Sequence, residues 1–307
     1  FISMKKLFLL IALVGTLTNI AKAQQIHQLS QYMLNDFAYN PAVAGSNDKF
    51  ITKFIFRKQW TGVEGSPTTG VLSVHGNLSP EKKIGLGAIL YSDVTGPTRR
   101  SGIQLAYAYH LPISLDRTTY LGMGLSASIM QYGIKFDELI LQQNDDPQIG
   151  SAAATKIGAD ANLGLYLKNP NYWVGVSANQ LFASKFKFDG NTENIQNARH
   201  IYLTGGYRYL VNDNFALTPA LLAKFVKANR PQAEINLRGA YIDTNNSNEY
   251  WLGVAYRTED AVSILAGLDL GMGFNFAYSY DITTSKLNTV SNGSHEISLG
   301  YNFAIVK

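Results

Sequence analysis

Cysteine is absent from the 307 residues. The chain therefore forms no disulfide and offers no thiol nucleophile or thiolate metal site. Long apolar runs are missing too: beyond residue 23 nothing approaches the eighteen or more consecutive apolar residues that a membrane-spanning helix needs. A helical membrane protein is excluded on that ground. Charge is sparse at 16%, and histidine occurs only five times. The five, His27, His75, His110, His200 and His295, lie far apart, and none shows a metal-ligand spacing such as HExxH. His295 and Glu296 are adjacent, so on a strand they face opposite sides.

What is present begins with an N-terminal address. Lys5-Lys6 precedes an apolar run from Leu7 to Val14, and Ala21-Lys22-Ala23 closes the segment before Gln24. A positive start, an apolar run too short to span and a small-x-small ending predict a secretory signal peptide cut between Ala23 and Gln24. Met4 is the expected natural start, after Phe1-Ile2-Ser3. The formal net charge of the chain is +4; with the signal leave Lys5, Lys6 and Lys22 but no acid, so the mature balance falls to +1. Nucleic acid, which needs a concentrated basic face, is not an expected partner.

Hydrophobic residues make up 46% and aromatics 12%, with 18 tyrosines. Their spacing explains where the rings go. Phe50, Phe54 and Phe56 share one parity, with Lys53 and Arg57 on the other. Ile103, Leu105, Tyr107, Tyr109 and Leu111 alternate with Gly102, Gln104, Ala106, Ala108 and His110, and the stretches 234–241 and 274–281 repeat the pattern. Period two is the mark of a strand. It predicts strands at 50–58, 68–78, 83–92, 99–110, 118–129, 156–167, 172–179, 199–211, 215–225, 231–242, 249–257, 261–269, 274–281 and 295–303.

Short connectors, such as Lys168–Asn171 and Leu270–Gly273, tend to alternate with long ones, such as 133–155 and 180–198; 226–230 and 258–260 break the rule. Alternation of turns and loops belongs to transmembrane barrels. A soluble β-sandwich also alternates, but it places Lys, Glu and Thr outside, whereas here the less apolar face is Gly, Ala, Ser and Asn. Trp60, Tyr107, Tyr109, Tyr172, Trp173, Tyr207, Tyr209, Tyr241, Tyr250, Trp251, Tyr278 and Tyr280 gather near segment ends, as aromatic girdles do. The expected fold is all-β: a single transmembrane antiparallel β-barrel of about 14 strands over residues 50–307, with both termini on the short-turn, periplasmic side. Residues 24–49 precede it as a periplasmic or luminal segment. There Ile26, Leu29, Met33, Leu34 and Phe37 recur with the period of a short amphipathic helix ending near Asn40, ahead of Pro41.

Gly85-Leu86-Gly87, Gly122-Met123-Gly124 and Gly271-Met272-Gly273 lack a following helix and an acidic partner, so they imply bending or close approach to something inside the barrel rather than nucleotide binding. Asp145-Asp146 suggests a solvated loop more than a calcium site. A hydrolase with an unidentified Ser–His pair stays a distant alternative, and no enzyme and no cofactor is implied. Lys53, Arg57, Glu234, Arg238 and Asp269 fall on the inner face, where a charge avoids the roughly 2–4 kcal/mol cost of facing lipid near the midplane. They either hold a plug or cargo segment or pair with one another.

Four stretches resemble one known family. Gln31-Tyr32-Met33 with Asn40-Pro41-Ala42-Val43-Ala44-Gly45, then Arg57-Lys58-Gln59-Trp60-Thr61-Gly62 with Pro67-Thr68, are similar to the opening of PorP/SprF proteins. Tyr280-Asp281-Ile282-Thr283-Thr284-Ser285-Lys286-Leu287 and Gly293-Ser294-His295-Glu296-Ile297 resemble that family's end. The resemblance implies an outer-membrane component of the type IX secretion system. Its expected role is partner and cell-surface anchor for a secreted protein of gliding-adhesin type, held through that protein's C-terminal domain. Two alternatives are a core component contacting the periplasmic ring lipoprotein complex and a passive pore. Asn40, Pro41, Arg57 and Trp60 become candidate partner-binding or luminal residues beside Lys53, Glu234, Arg238 and Asp269. Outer-membrane lipid is the remaining expected partner.

Overall fold

The computed structural model describes residues 28–78, 83–135, 154–186, 195–227 and 229–304. The signal peptide with Ala23 and Gln24, and the pair Asp145-Asp146, lie outside the described residues. Fourteen antiparallel strands close into one barrel. They are β1 (Phe50–Lys58), β2 (Thr68–Asn77), β3 (Ile84–Thr95), β4 (Thr98–Pro112), β5 (Tyr120–Ile134), β6 (Ala154–Lys168) and β7 (Tyr172–Asn179), then β8 (His200–Tyr207, continued by Tyr209–Asn212) and β9 (Phe215–Val226). β10 (Gln232–Asp243), β11 (Asn248–Arg257), β12 (Ala261–Asp269), β13 (Phe274–Thr283) and β14 (Ser294–Phe303) complete the wall. Each strand pairs with its sequence neighbours, and β14 returns to β1 from Phe50↔Phe303 to Lys58↔His295. Closure leaves no edge, as hydrocarbon requires, because an unpaired backbone amide there costs several kcal/mol.

The alternation sorts as the sequence predicts. Phe54 and Phe56 are exposed on the outside while Lys53, Ile55 and Arg57 are buried inside. Leu105 and Tyr107 face out against Ala106 and Ala108, and Phe276 and Tyr278 against Ala277 and Ser279. Two rings of the proposed girdle point the other way. Trp251 is 4% exposed on the inner face, its indole over Gly267, and Trp173 is half-buried against the luminal core and over Gly206. Both sit one position off the outward parity of their strands, and a ring inside the wall needs a glycine opposite to make room. β3 and β4 run further than expected, to a tight turn at Gly96-Pro97 in which Gly96 takes a φ of +52°. This adds one short connection at the long-loop end.

Residues 28–47 lie inside the barrel, with Asp48 and Lys49 exposed at its end, and they differ from the expected amphipathic helix. They form three 3-10 turns, Tyr32–Leu34, Asp36–Ala38 and Pro41–Val43. Asn35 (ψ 57°) and Asn40 (ψ 113°) leave helical geometry between them, Pro41 lacks an N–H, and the Asn40 side chain accepts from Ala42 N at 2.9 Å instead. A single apolar stripe is not needed here. The wall surrounds the segment, so Leu29, Tyr32, Phe37, Tyr39, Ala42 and Val43 are buried at every azimuth. The segment also traverses the lumen lengthwise. Gln28 accepts from Lys224 Nζ at 3.2 Å near the long-loop end of β9, whereas Lys49 enters β1 at the short-turn end. The first described residue, Gln28, and the end of β14 thus lie at opposite ends of the barrel.

Candidate functional site

A buried ionic cluster fastens the luminal segment to the wall near the long-loop end. Arg57 on β1 meets Asp281 of β13 at 2.8 Å and Glu296 of β14 at 3.1 Å. Arg257 on β11 meets Glu234 of β10 at 2.7 Å, Asp260 at 2.9 Å and Asp281 at 3.5 Å. Strand register sets these contacts: Arg57 lies opposite Glu296, and Glu234 opposite Arg257. Both guanidiniums are fully buried. Burying ions is favourable only when their hydrogen bonds are also met.

The segment supplies several of those bonds, while Arg57 Nε, Glu234 Oε1 and Asp281 Oδ1 are left without one. Ser30 Oγ receives N–H groups from Arg57 at 2.6 Å and Arg257 at 2.9 Å and donates to Asp281 at 2.6 Å. The Glu296 carboxylate accepts Ser30 N and Gln31 N, each at 2.8 Å, and Gln31 Nε2 donates to the Glu296 carbonyl at 3.0 Å. Two consecutive amides aimed at one carboxylate form a strong, charge-assisted grip.

Further down the lumen the segment is bonded to β2, β4, β6 and β7. Asn40 Nδ2 donates to the Leu165 and Val176 carbonyls at 2.9 and 3.4 Å, while Tyr39 O accepts from Ser177 Oγ at 2.7 Å and Asn179 Nδ2 at 3.1 Å. His110 Nε2 donates to Ala44 O at 2.7 Å, and His75 Nδ1 accepts from Gly45 N at 3.2 Å. Lys168 Nζ reaches Ser46 O at 3.1 Å and also bonds Asn47 Oδ1. The glycine pairs serve the close approach their spacing implied. A Cβ on Gly85 would collide with Ala44, on Gly87 with Phe37, and on Gly122 or Gly124 with Ala42. Gly273 instead takes a turn with φ +101°.

The charges the sequence grouped as one inner set divide in two. Arg57 and Glu234 join the cluster above. Lys53, Arg238 and Asp269 lie in the short-turn half, where Lys53 bonds Asn275, and Arg238 stands 3.8 Å from Glu249 and 5.3 Å above the Trp251 ring. Asp269 is half-buried and opposite Asn275 and Glu249 in register. Asn40 and Pro41 are buried in the segment. Trp60 is apart from Arg57's partners, in the loop after β1 with φ 46°, its backbone N–H donating to Ser294 Oγ at 3.1 Å. There the loop is zipped to the one before β14, with Thr61 N to Gly293 O at 2.8 Å and Asn292 N to Thr61 O at 2.7 Å.

Sequence reasoning missed Arg257, Asp281, Glu296, Asp260 and Ser30. The parity rule that places Arg57 inside applies equally to Asp281 and Glu296, so the signal was there. The arrangement holds a polypeptide by ion pairs and hydrogen bonds. It also joins the two ends of the chain, since Gln31, Arg57, Asp281 and Glu296, from four separate stretches, meet at one point.

The family described as "Type IX secretion system membrane protein PorP/SprF" matches residues 21–301. No curated protein matches the sequence. Among solved structures, the fold is similar to the CymD monoaromatic hydrocarbon channel, with TM-score 0.58 and 13% identity over 93% of this chain and 95% of that one. It is also similar to the Pseudomonas putida toluene transporter TodX, with TM-score 0.52 and 11% identity over 91% and 95%. At such identities the likeness concerns the barrel fold alone.

Proposed function

Because the chain belongs to the PorP/SprF family of type IX secretion system membrane proteins, an outer-membrane barrel class, we propose that it is a non-enzymatic scaffold that partners and anchors a secreted surface protein through that protein's C-terminal domain. In this reading the short turns and the end of β14 face the periplasm, the signal peptide is removed after Ala23, and the partner engages the long-loop end. The single observation that carries it is the bolted lumen. Residues 28–47 fill the barrel and are held at one end by Arg57, Arg257 and Glu296 and at the other by His75, His110 and Lys168. So firm a plug suits a binding platform and disfavours a passive pore.

Affinity isolation of the tagged protein from native outer membranes in mild detergent tests the reading. One large surface protein with a type IX C-terminal domain is the expected companion. Recovery of ring lipoproteins alone would assign the barrel to the core machinery, and sustained high conductance of the purified protein in planar bilayers would make it a pore.

A further inference from the structure

The outer wall carries a concavity unrelated to the luminal segment. In the short-turn half of β9 to β13, register aligns two outward rows. One is Phe215, Tyr241, Tyr250, Leu268 and Phe276; the next is Leu217, Gly239, Leu252, Ala266 and Tyr278. Gly239 and Ala266 leave the second row low on either side of Leu252. The result is an almost wholly apolar groove of about 940 Å³. A Cβ built on Gly239 meets nothing within 4 Å.

We propose that this groove is a binding site for one acyl chain of a membrane phospholipid. It lies on the face the barrel turns to hydrocarbon, so it is continuous with the bilayer. A peptide backbone or a sugar would bury polar groups there without partners, which is costly. A flexible chain meets no such cost, and it fills an irregular gap that otherwise forfeits dispersion contacts. The first row, aromatic at four of its five positions and carrying the Tyr241 and Tyr250 hydroxyls, suits the headgroup level, where amphipathic rings settle, and sets a lipid so that its tail descends past Gly239. Packing rather than hydrophobicity holds it, because lipid tails are as apolar as the wall.

Gly239→Trp tests the site, and Gly70→Trp is its control. Gly70 also faces outward, on β2, with nothing within 4 Å of a built Cβ, so both variants retain a barrel, checked by heat-modifiable gel migration. Full-length protein is stripped with detergent, mixed with phosphatidylethanolamine vesicles and re-extracted, and native mass spectrometry counts bound lipid. The wild type and Gly70→Trp are expected to retain one phospholipid that Gly239→Trp loses. Equal lipid in all three proteins, or equal loss in both variants, overturns the proposal. So does a wild-type dimer that Gly239→Trp dissociates without changing lipid count, since the groove would then hold a second copy of the chain.

Discussion

Arg57 shows how much one side chain decides at the luminal face. It neutralises Asp281 and Glu296 while donating to Ser30, so its removal strands two buried carboxylates and loosens the segment together. Arg57→Ala is expected to destabilise the barrel by about 3–5 kcal/mol, the usual cost of breaking a buried ion pair from one side. Urea unfolding in detergent, followed by tryptophan fluorescence, measures it. Glu296→Gln separates the two consequences. The neutral amide offers one acceptor where Ser30 and Gln31 now share two, so the segment should become protease-sensitive while the barrel stays folded, read by limited proteolysis and gel migration. Glycine acts by absence: Gly124→Val drives a branched side chain into Ala42 and should push the segment off β5, raising the same protease sensitivity.

At the scale of elements, the segment and the strands follow different rules. Strands were legible from period two because each has one face to lipid and one to the lumen, and a one-residue slip would invert every side chain. Residues 28–47 have wall on all sides, so spacing could not reveal their conformation, and Asn35, Asn40 and Pro41 broke the helix that Leu29, Met33 and Phe37 suggested. Their role as a stopper makes a direct prediction. Replacing residues 28–45 by a Gly-Ser linker of equal length should turn a silent protein into one with sustained openings in planar bilayers. Wild-type openings of the same size would show that the segment does not close the lumen. The zipped loops make a smaller one. Gly62 takes φ +90° and a Cβ there crowds Asn292, so Gly62→Ala should cost on the order of 1–3 kcal/mol of strain, seen as a lowered melting midpoint.

For the whole molecule, the two faces of the wall make opposite demands on charge. Val254 faces outward near the middle of β11, and Val254→Arg should lose about 2–4 kcal/mol in vesicles if that face meets lipid. Unfolding in lipid vesicles gives the figure, and a negligible change would remove the basis for an outward lipid face. The amino-acid order alone determined strand number, parity and the family, since these depend on local alternation and on short stretches near the two ends. Trp173 and Trp251 obey that parity, lying next to outward Val174 and Tyr250, and only their residue type suggested a girdle; Gly206 and Gly267 give the rings room inside. The anchor is a different case: parity puts its charges inside but does not say which of them meet. Arg57, Arg257, Asp281, Glu296 and Ser30 are separated by up to 266 positions, and no local pattern brings them together. Only closure of β14 onto β1, with the segment passing inside, puts charge and backbone amide within hydrogen-bonding distance.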